Sequence, residues 1–274
     1  MVFTVVVGML LSTPAAAPWR VLVFGSLGIG LVAGSAAAIN HLVDRHVDAM
    51  MARTRGRPLP SGALGGTQVA VFAALLGGAG MLLLLAFTNP LCAVLTFASL
   101  IGYAVIYSML LKHATPQNIV IGGAAGAAPP LLGWVAVTGQ LDPGALLLFL
   151  IILVWTPPHF WALAIHRRDD YARAAIPMLP VTHGVAFTSG RILLYVALLC
   201  MVSLVPFLIG MSGALYLAGA LALDGRFVWF AWRLRHDVRL AMPAFRYSIA
   251  YLFGLFALLL VDHYLAAMAS AVPP

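Results

Sequence analysis

Residues 21–57 read VLVFGSLGIGLVAGSAAAINHLVDRHVDAMMARTRGR. The first 19 of these, 21–39, carry no charge. As a helix they would reach about 30 Å, the thickness of a bilayer's hydrocarbon core. Charge then returns at once, with Asp44, Arg45, Asp48, Arg53, Arg55 and Arg57. A helix that crosses lipid and emerges at residue 40 is the simplest reading of that switch.

The rest of the chain repeats the pattern. Of its 274 residues, 63% are hydrophobic and 8% charged, and the mean hydropathy is +1.03. A soluble domain carries about a quarter charged residues, so this chain has too little polar surface to face water all round. Further spanning helices are expected at 68–87, 91–111, 118–137, 144–165, 191–209, 213–232 and 245–267. The opening run MVFTVVVGMLL, followed by TPAAAPW, admits two readings. The AAA resembles a signal-peptide cleavage site, but no positive charge precedes the apolar run. The preferred reading is a first membrane helix, which makes nine.

Positive charge orients the bundle. The links after helices two, four, six and eight hold thirteen of the fifteen Lys and Arg residues. Only Arg20 lies in an opposite link, and Arg226 falls inside a helix. Those even-numbered ends are therefore expected in the cytoplasm and the C-terminus outside. The net charge of +7 reads as this topology signal, with lipid as the partner and no nucleic acid. The cytoplasmic links after helices two and six are long and polar. They suggest two four-helix halves with a site between them. Cys92 and Cys200 both sit in apolar runs, which supports neither zinc nor a disulfide.

Asn40, Asp44 and Asp48 recur every four residues. On a helix each step advances about 6 Å and turns about 40° past a full circle, so the three share one stripe. Two carboxylates there repel each other and cost energy near lipid. A hard divalent cation such as Mg²⁺ relieves both penalties and keeps coordination positions for phosphate. Arg53, Arg55 and Arg57 supply the forked donors that suit phosphate oxygens. The alternative reading is a solvated helix end in which Asp44 and Asp48 pair with Arg45 and His41.

The stripe is similar to the first aspartate motif of the intramembrane aromatic prenyltransferase superfamily. Continued into MARTRGRPLPSG, it closely resembles that superfamily's heme O synthase branch. So do residues 107–134 (YSMLLKHATPQNIVIGGAAGAAPPLLGW), 155–165 (WTPPHFWALAI), 169–181 (DDYARAAIPMLPV) and the late stretch FRYSIAYLFGLFALLLVDHYL. The resemblance covers almost the whole chain. It implies farnesyl diphosphate and heme B as substrates, with Asp44, Asp48 and Asp170 as catalytic residues and Mg²⁺ ligands. Asn40, Arg53, Arg57, Lys112, Asn118, His159 and Asp169 are the substrate-binding candidates. The superfamily's usual second D-x-x-x-D is incomplete here. Position 174 is Ala, and His166 stands four residues before Asp170.

Asn118 is expected to cap a helix, and Gly122, Gly123 and Gly126 to serve close helix packing or the approach of a flat ligand. Pro129 and Pro130 are expected to kink that helix. Tyr103, Tyr107, Trp134, Trp155, Phe160 and Trp161 are candidate cavity walls. His159 is a candidate contact for heme iron, and Asp224 and Arg226 either pair or mark a helix break at Gly225. The expectation is an all-α membrane bundle of about nine helices, one domain over 1–274, around a central cavity that opens to the cytoplasm of the bacterial inner membrane. A heme A synthase or an oxidase assembly protein joins the candidate partners. Two rivals stand beside this reading. One is a sister prenyltransferase acting on a quinone-precursor acid, and the other is a transporter or channel, a class that needs ionisable groups near mid-membrane, where Asp224 and Arg226 are the only candidates.

Overall fold

The computed structural model describes residues 1–13, 17–51 and 54–271, apart from the side chains of 113 and 269–271. Among them every regular element is helical. A short helix, α1, spans Val2–Leu11. Eight helices are long and apolar enough to cross a bilayer: α2 (Val21–Val43), α4 (Gly66–Phe87), α5 (Pro90–Leu111), α6 (Asn118–Thr138), α7 (Pro143–His166), α10 (Gly184–Leu208), α11 (Ala214–Leu234) and α12 (Ala241–Ala271). The chain is thus a multi-pass membrane protein. Three short polar helices sit between them: α3 (Arg45–Met50), α8 (Arg168–Arg173) and α9 (Leu179–Thr182).

Local chemistry sets several boundaries. The Asn89 side chain accepts from the Cys92 amide at 2.9 Å and Pro90 starts α5, so TNP makes a sharp re-entry into the membrane. Gly139 closes α6 in the left-handed region, at φ 69°. The helix expected from residue 191 begins at Gly184 instead. Arg191 is not in a loop, because its guanidinium lies over the Phe187 ring at 4.8 Å, one turn earlier on the same helix. Asn118 does not cap α6. Gln117 occupies that position, and Asn118 is the first helical residue.

Two buried apolar clusters form the interior. One gathers α1, α2, α4 and α5 against α6, and the other gathers α7, α10, α11 and α12. Helix α1 is held by backbone proximity. A methyl group at Gly8 would lie 2.1 Å from the Pro130 carbonyl oxygen, and one at Gly133 would lie 2.1 Å from the Val5 carbonyl oxygen. Helices α2 and α4 meet the same way, since a methyl at Gly80 would come within 2.7 Å of the Gly28 carbonyl. Small residues are what permit such approach where water supplies no driving force.

Asp224 and Arg226 neither pair nor break the helix. Helix α11 runs through both. Asp224 accepts from the Ser203 and Tyr251 hydroxyls at 2.7 Å each, and Arg226 lies over the Tyr247 ring at 5.2 Å. Asp262 caps the start of α11, accepting from the Tyr216 amide at 3.1 Å and from the Gly213 amide. These polar groups thus hold α10, α11 and α12 together.

Candidate functional site

The helix ends that carry charge converge. Asp44 is the hinge between α2 and α3, with φ −83° and ψ 0°. The i→i−4 ladder nevertheless continues through it. The Asp44 amide donates to the Asn40 carbonyl at 2.9 Å, and the Asp48 amide donates to the Asp44 carbonyl at 2.8 Å. The stripe of Asn40, Asp44 and Asp48 therefore survives the bend. Asp44 and Asp48 are buried, at 2% and 5% exposure.

Each stripe residue has a partner from elsewhere in the chain. Lys112, at the end of α5, makes an ion pair with Asp44. Arg57 donates to Asp48 at 2.7 Å. The Thr54 hydroxyl holds the Asp48 carbonyl at 2.9 Å, which ties the arginine-bearing turn back onto α3. Asn40 donates to the Ser108 hydroxyl at 2.8 Å, and Ser108 donates to the Tyr103 carbonyl at 2.9 Å. Asn118 donates to the Lys112 carbonyl at 3.1 Å. It is fully buried, and its Oδ1 has no hydrogen-bond partner among the described residues. The ends of α2 and α5 and the start of α6 are thereby gathered at one end of the bundle.

The second acidic motif lies on α8. Asp170 is partly buried between Arg167, at 3.5 Å, and Arg173. Asp169 is exposed. Arg53 lies outside the described residues, and Arg55 is exposed. Among the described residues no three His, Cys, Asp or Glu side chains stand close enough to form a ready metal cage. What does fit a hard divalent cation is the donor chemistry. Two buried carboxylates stand one helical turn apart, and the buried Asn118 amide oxygen remains unengaged; all are oxygen donors of the kind Mg²⁺ takes.

Beneath this end lies a cavity of about 410 Å³ between α2, α5, α6 and α7. Tyr103 and Tyr107 line it, and the hydrogen bonds from Asn40 to Ser108 and from Ser108 to the Tyr103 carbonyl join its wall to the acidic stripe. The glycines of α6 do different work. Tyr107 lies flat against Gly122, where a methyl would be 2.1 Å from its ring, and Gly123 faces Thr156 at 3.0 Å. Gly126 lines the cavity with nothing within 4 Å of an added methyl.

Trp155, His159 and Phe160 of α7 complete the wall. Two expected wall residues are elsewhere. Trp134 donates to Asp142 at 2.7 Å near the far end, and Trp161 is core, edge-on to Tyr195. Sequence reasoning passed over two residues that organise the site, Ser108 and Ser248. Ser108 lies four residues before Lys112, on the same side of the helix. Ser248 is a polar residue inside an apolar run. Both signals were present in the sequence.

Comparison with known proteins gives clear likenesses. A profile of the UbiA prenyltransferase family matches residues 1–259. A protein named protoheme IX farnesyltransferase from Methylococcus capsulatus is 61% identical over 266 residues, covering 96% of this chain and 89% of that protein. One of the same name from Azotobacter vinelandii is 62% identical, covering 97% and 89%. Among solved structures, a digeranylgeranylglyceryl phosphate synthase superposes with TM-score 0.81 at 19% identity, over 96% of this chain and 92% of that one. A UbiA homolog from Archaeoglobus fulgidus bound to DMAPP and Mg²⁺ gives 0.67 at 15% identity, over 94% of each chain.

Proposed function

The chain belongs to the UbiA prenyltransferase family, and from that membership we propose that it transfers the farnesyl group of farnesyl diphosphate to a vinyl group of heme B, giving heme O and diphosphate. The observation that carries this reading is the 61–62% identity, over nearly the whole chain, to proteins named for that reaction. The apolar cavity capped by carboxylates and cations supports it. At about 0.8 kcal/mol per buried carbon, a fifteen-carbon chain gains up to roughly 12 kcal/mol in apolar surroundings.

A homolog solved with DMAPP and Mg²⁺ supports the use of a divalent ion, and Asp44 and Asp48, with Asp170 from the second motif, are the residues of this chain that would hold it. When bound there, the ion supplies charge neutralisation to the departing diphosphate. The chain's own cations share that task. Lys112 and Arg57 already lie against the two carboxylates, and Arg53 adds a third basic group from the same sequence motif. Asn40 and Asn118 orient polar groups at the same end, and Asp169 stands beside Asp170.

As the bond between farnesyl C1 and the diphosphate oxygen breaks, C1 becomes the electrophile. The electron pair of the heme vinyl group forms the new C–C bond. Water adds to the cation left beside the porphyrin and loses a proton, giving the hydroxyethyl product. Tyr107, Trp155 and Phe160 line the cavity and would surround the reaction with π density. His159 contacts the heme.

Purified protein given heme B, farnesyl diphosphate and Mg²⁺ is expected to yield a heme heavier by one farnesyl group and one hydroxyl group. Prenylation of a benzoate-type acid in place of heme would move the chain to the sister branch. The cavity adds a second test. Gly126→Leu places a side chain in open space, so the fold is expected to survive. Heme turnover should fall about tenfold or more, because even small volume mismatches in an apolar pocket are felt at that level. Wild-type turnover with unchanged unfolding would show that Gly126 does not border the acceptor.

The acidic end faces the cytoplasm of a bacterial inner membrane in this reading, and the product passes to a heme A synthase or an oxidase assembly partner. Cysteines introduced at 55 and 168 are expected to react with impermeant reagents only from the cytoplasmic side. Labelling of position 55 from outside alone would invert the topology.

A further inference from the structure

His159 is held on three sides. Its ring is stacked between Trp155, at 4.2 Å and 20°, and Phe245, at 4.6 Å and 28°. Its Nδ1 lies 2.7 Å from the Ser248 hydroxyl. Ser248 is fully buried on α12 and donates its only hydroxyl proton to the Phe245 carbonyl at 2.6 Å. Its oxygen can then meet Nδ1 only as an acceptor, so Nδ1 carries the imidazole proton and Nε2 carries the lone pair. The Ser248 backbone carbonyl also accepts from the Trp155 indole at 2.8 Å. One residue thus fixes both the ring's tautomer and the aromatic plate that covers one face.

The edge that remains belongs to a residue lining the cavity, and Nε2 has no hydrogen bond among the described residues. A neutral imidazole tied through Nδ1–H to an oxygen, with Nε2 free, is the arrangement that metal-bound histidines adopt. A proton-accepting role would instead create an imidazolium among aromatic rings. No carboxylate lies among its contacts, so that charge would be desolvated without compensation.

We propose that His159 ligates the heme iron of the acceptor through Nε2, and that Ser248 is the positioning residue that holds it in the ligating tautomer. This rests on heme being the acceptor.

The test uses the purified full chain in lipid nanodiscs with heme B alone. Wild-type protein is expected to give the absorption and electron-spin signature of imidazole-ligated iron. His159→Ala should lose that signature, and added free imidazole should restore it. Ser248→Ala should weaken heme binding roughly 10- to 100-fold, while Ser248→Thr, which keeps the hydroxyl, should retain it. Binding of farnesyl diphosphate checks that each variant is folded. A wild-type spectrum equal to that of heme in empty nanodiscs would overturn the proposal without needing any variant. An imidazole signature that persists in His159→Ala would overturn it too. Unchanged heme affinity in Ser248→Ala would remove the positioning role. Farnesylation of heme is scored in the same preparation. If it proceeds with no ligation signature, only this inference fails. If heme is neither bound nor farnesylated, the functional reading falls as well.

Discussion

Asp44→Asn and Asp48→Asn are each expected to cut turnover by about 10²–10³-fold while leaving the protein folded. Both carboxylates are buried, stand one helical turn apart, and already draw a cation from another part of the chain. Asparagine keeps the volume and removes the charge. By analogy with removing one donor from a charge-stabilising site, the loss is about 2.7–4 kcal/mol of transition-state stabilisation. Breaking a buried ion pair also costs stability when the partner is stranded. That cost is small for Asp48, because the Arg57 side chain is 29% exposed and can turn to water. Asp44 is the stricter case, since Lys112 is only 15% exposed. Turnover is measured against Mg²⁺ concentration, and thermal unfolding is followed in parallel. Near-wild-type rates at saturating Mg²⁺ would remove that aspartate from the site.

Gly133→Leu is expected to cost about 3 kcal/mol or more of stability. Ordinary overpacking costs about 1–3 kcal/mol, because side chains can shift. Here the obstacle is the Val5 carbonyl, a backbone group 2.1 Å from where the new carbon must go. Relief requires that α1 leave α6, which would expose Val5, Val7 and Met9, each at most 1% exposed. Unfolding in detergent should shift accordingly. Disulfide cross-linking between cysteines placed near 5 and 133 should fail in the variant. An unchanged midpoint would mean that the two backbones do not meet.

Much of this was legible in the sequence. The runs at 68–87, 118–137 and 144–165 lie within two residues of the observed α4, α6 and α7, because lipid demands long apolar segments and the flanking Asn, Gly and Pro mark their ends. The Asn40–Asp44–Asp48 stripe was readable because helical spacing fixes which side chains share a face. Partnership across the chain was not readable. Nothing local links Asp44 to Lys112, 68 residues away, or His159 to Ser248, 89 away. The aromatic positions show the same limit. Trp161 and Phe160 are neighbours with the same composition around them, yet one is core and the other lines the cavity. The difference is the 100° that separates successive residues on a helix. Arg191 misled for a physical reason, since a cation over an aromatic ring can lie inside a helix that a charge count would end.

The last turns of α5, Gly102–Leu111, are wound as a π-helix, a form that is rare and frequent at functional sites. It carries Tyr103 and Tyr107 to the cavity and delivers Lys112 to Asp44, while Ile106, Met109 and Leu110 face outward. Its genetic signature should therefore be lopsided. Point changes among the outward residues to other apolar types should be tolerated almost freely. Loss of any single codon between 102 and 111 would rewind the segment and turn Lys112 away from its carboxylate. In a mutational scan its outward positions should appear permissive to replacement while the stretch as a whole is closed to length change.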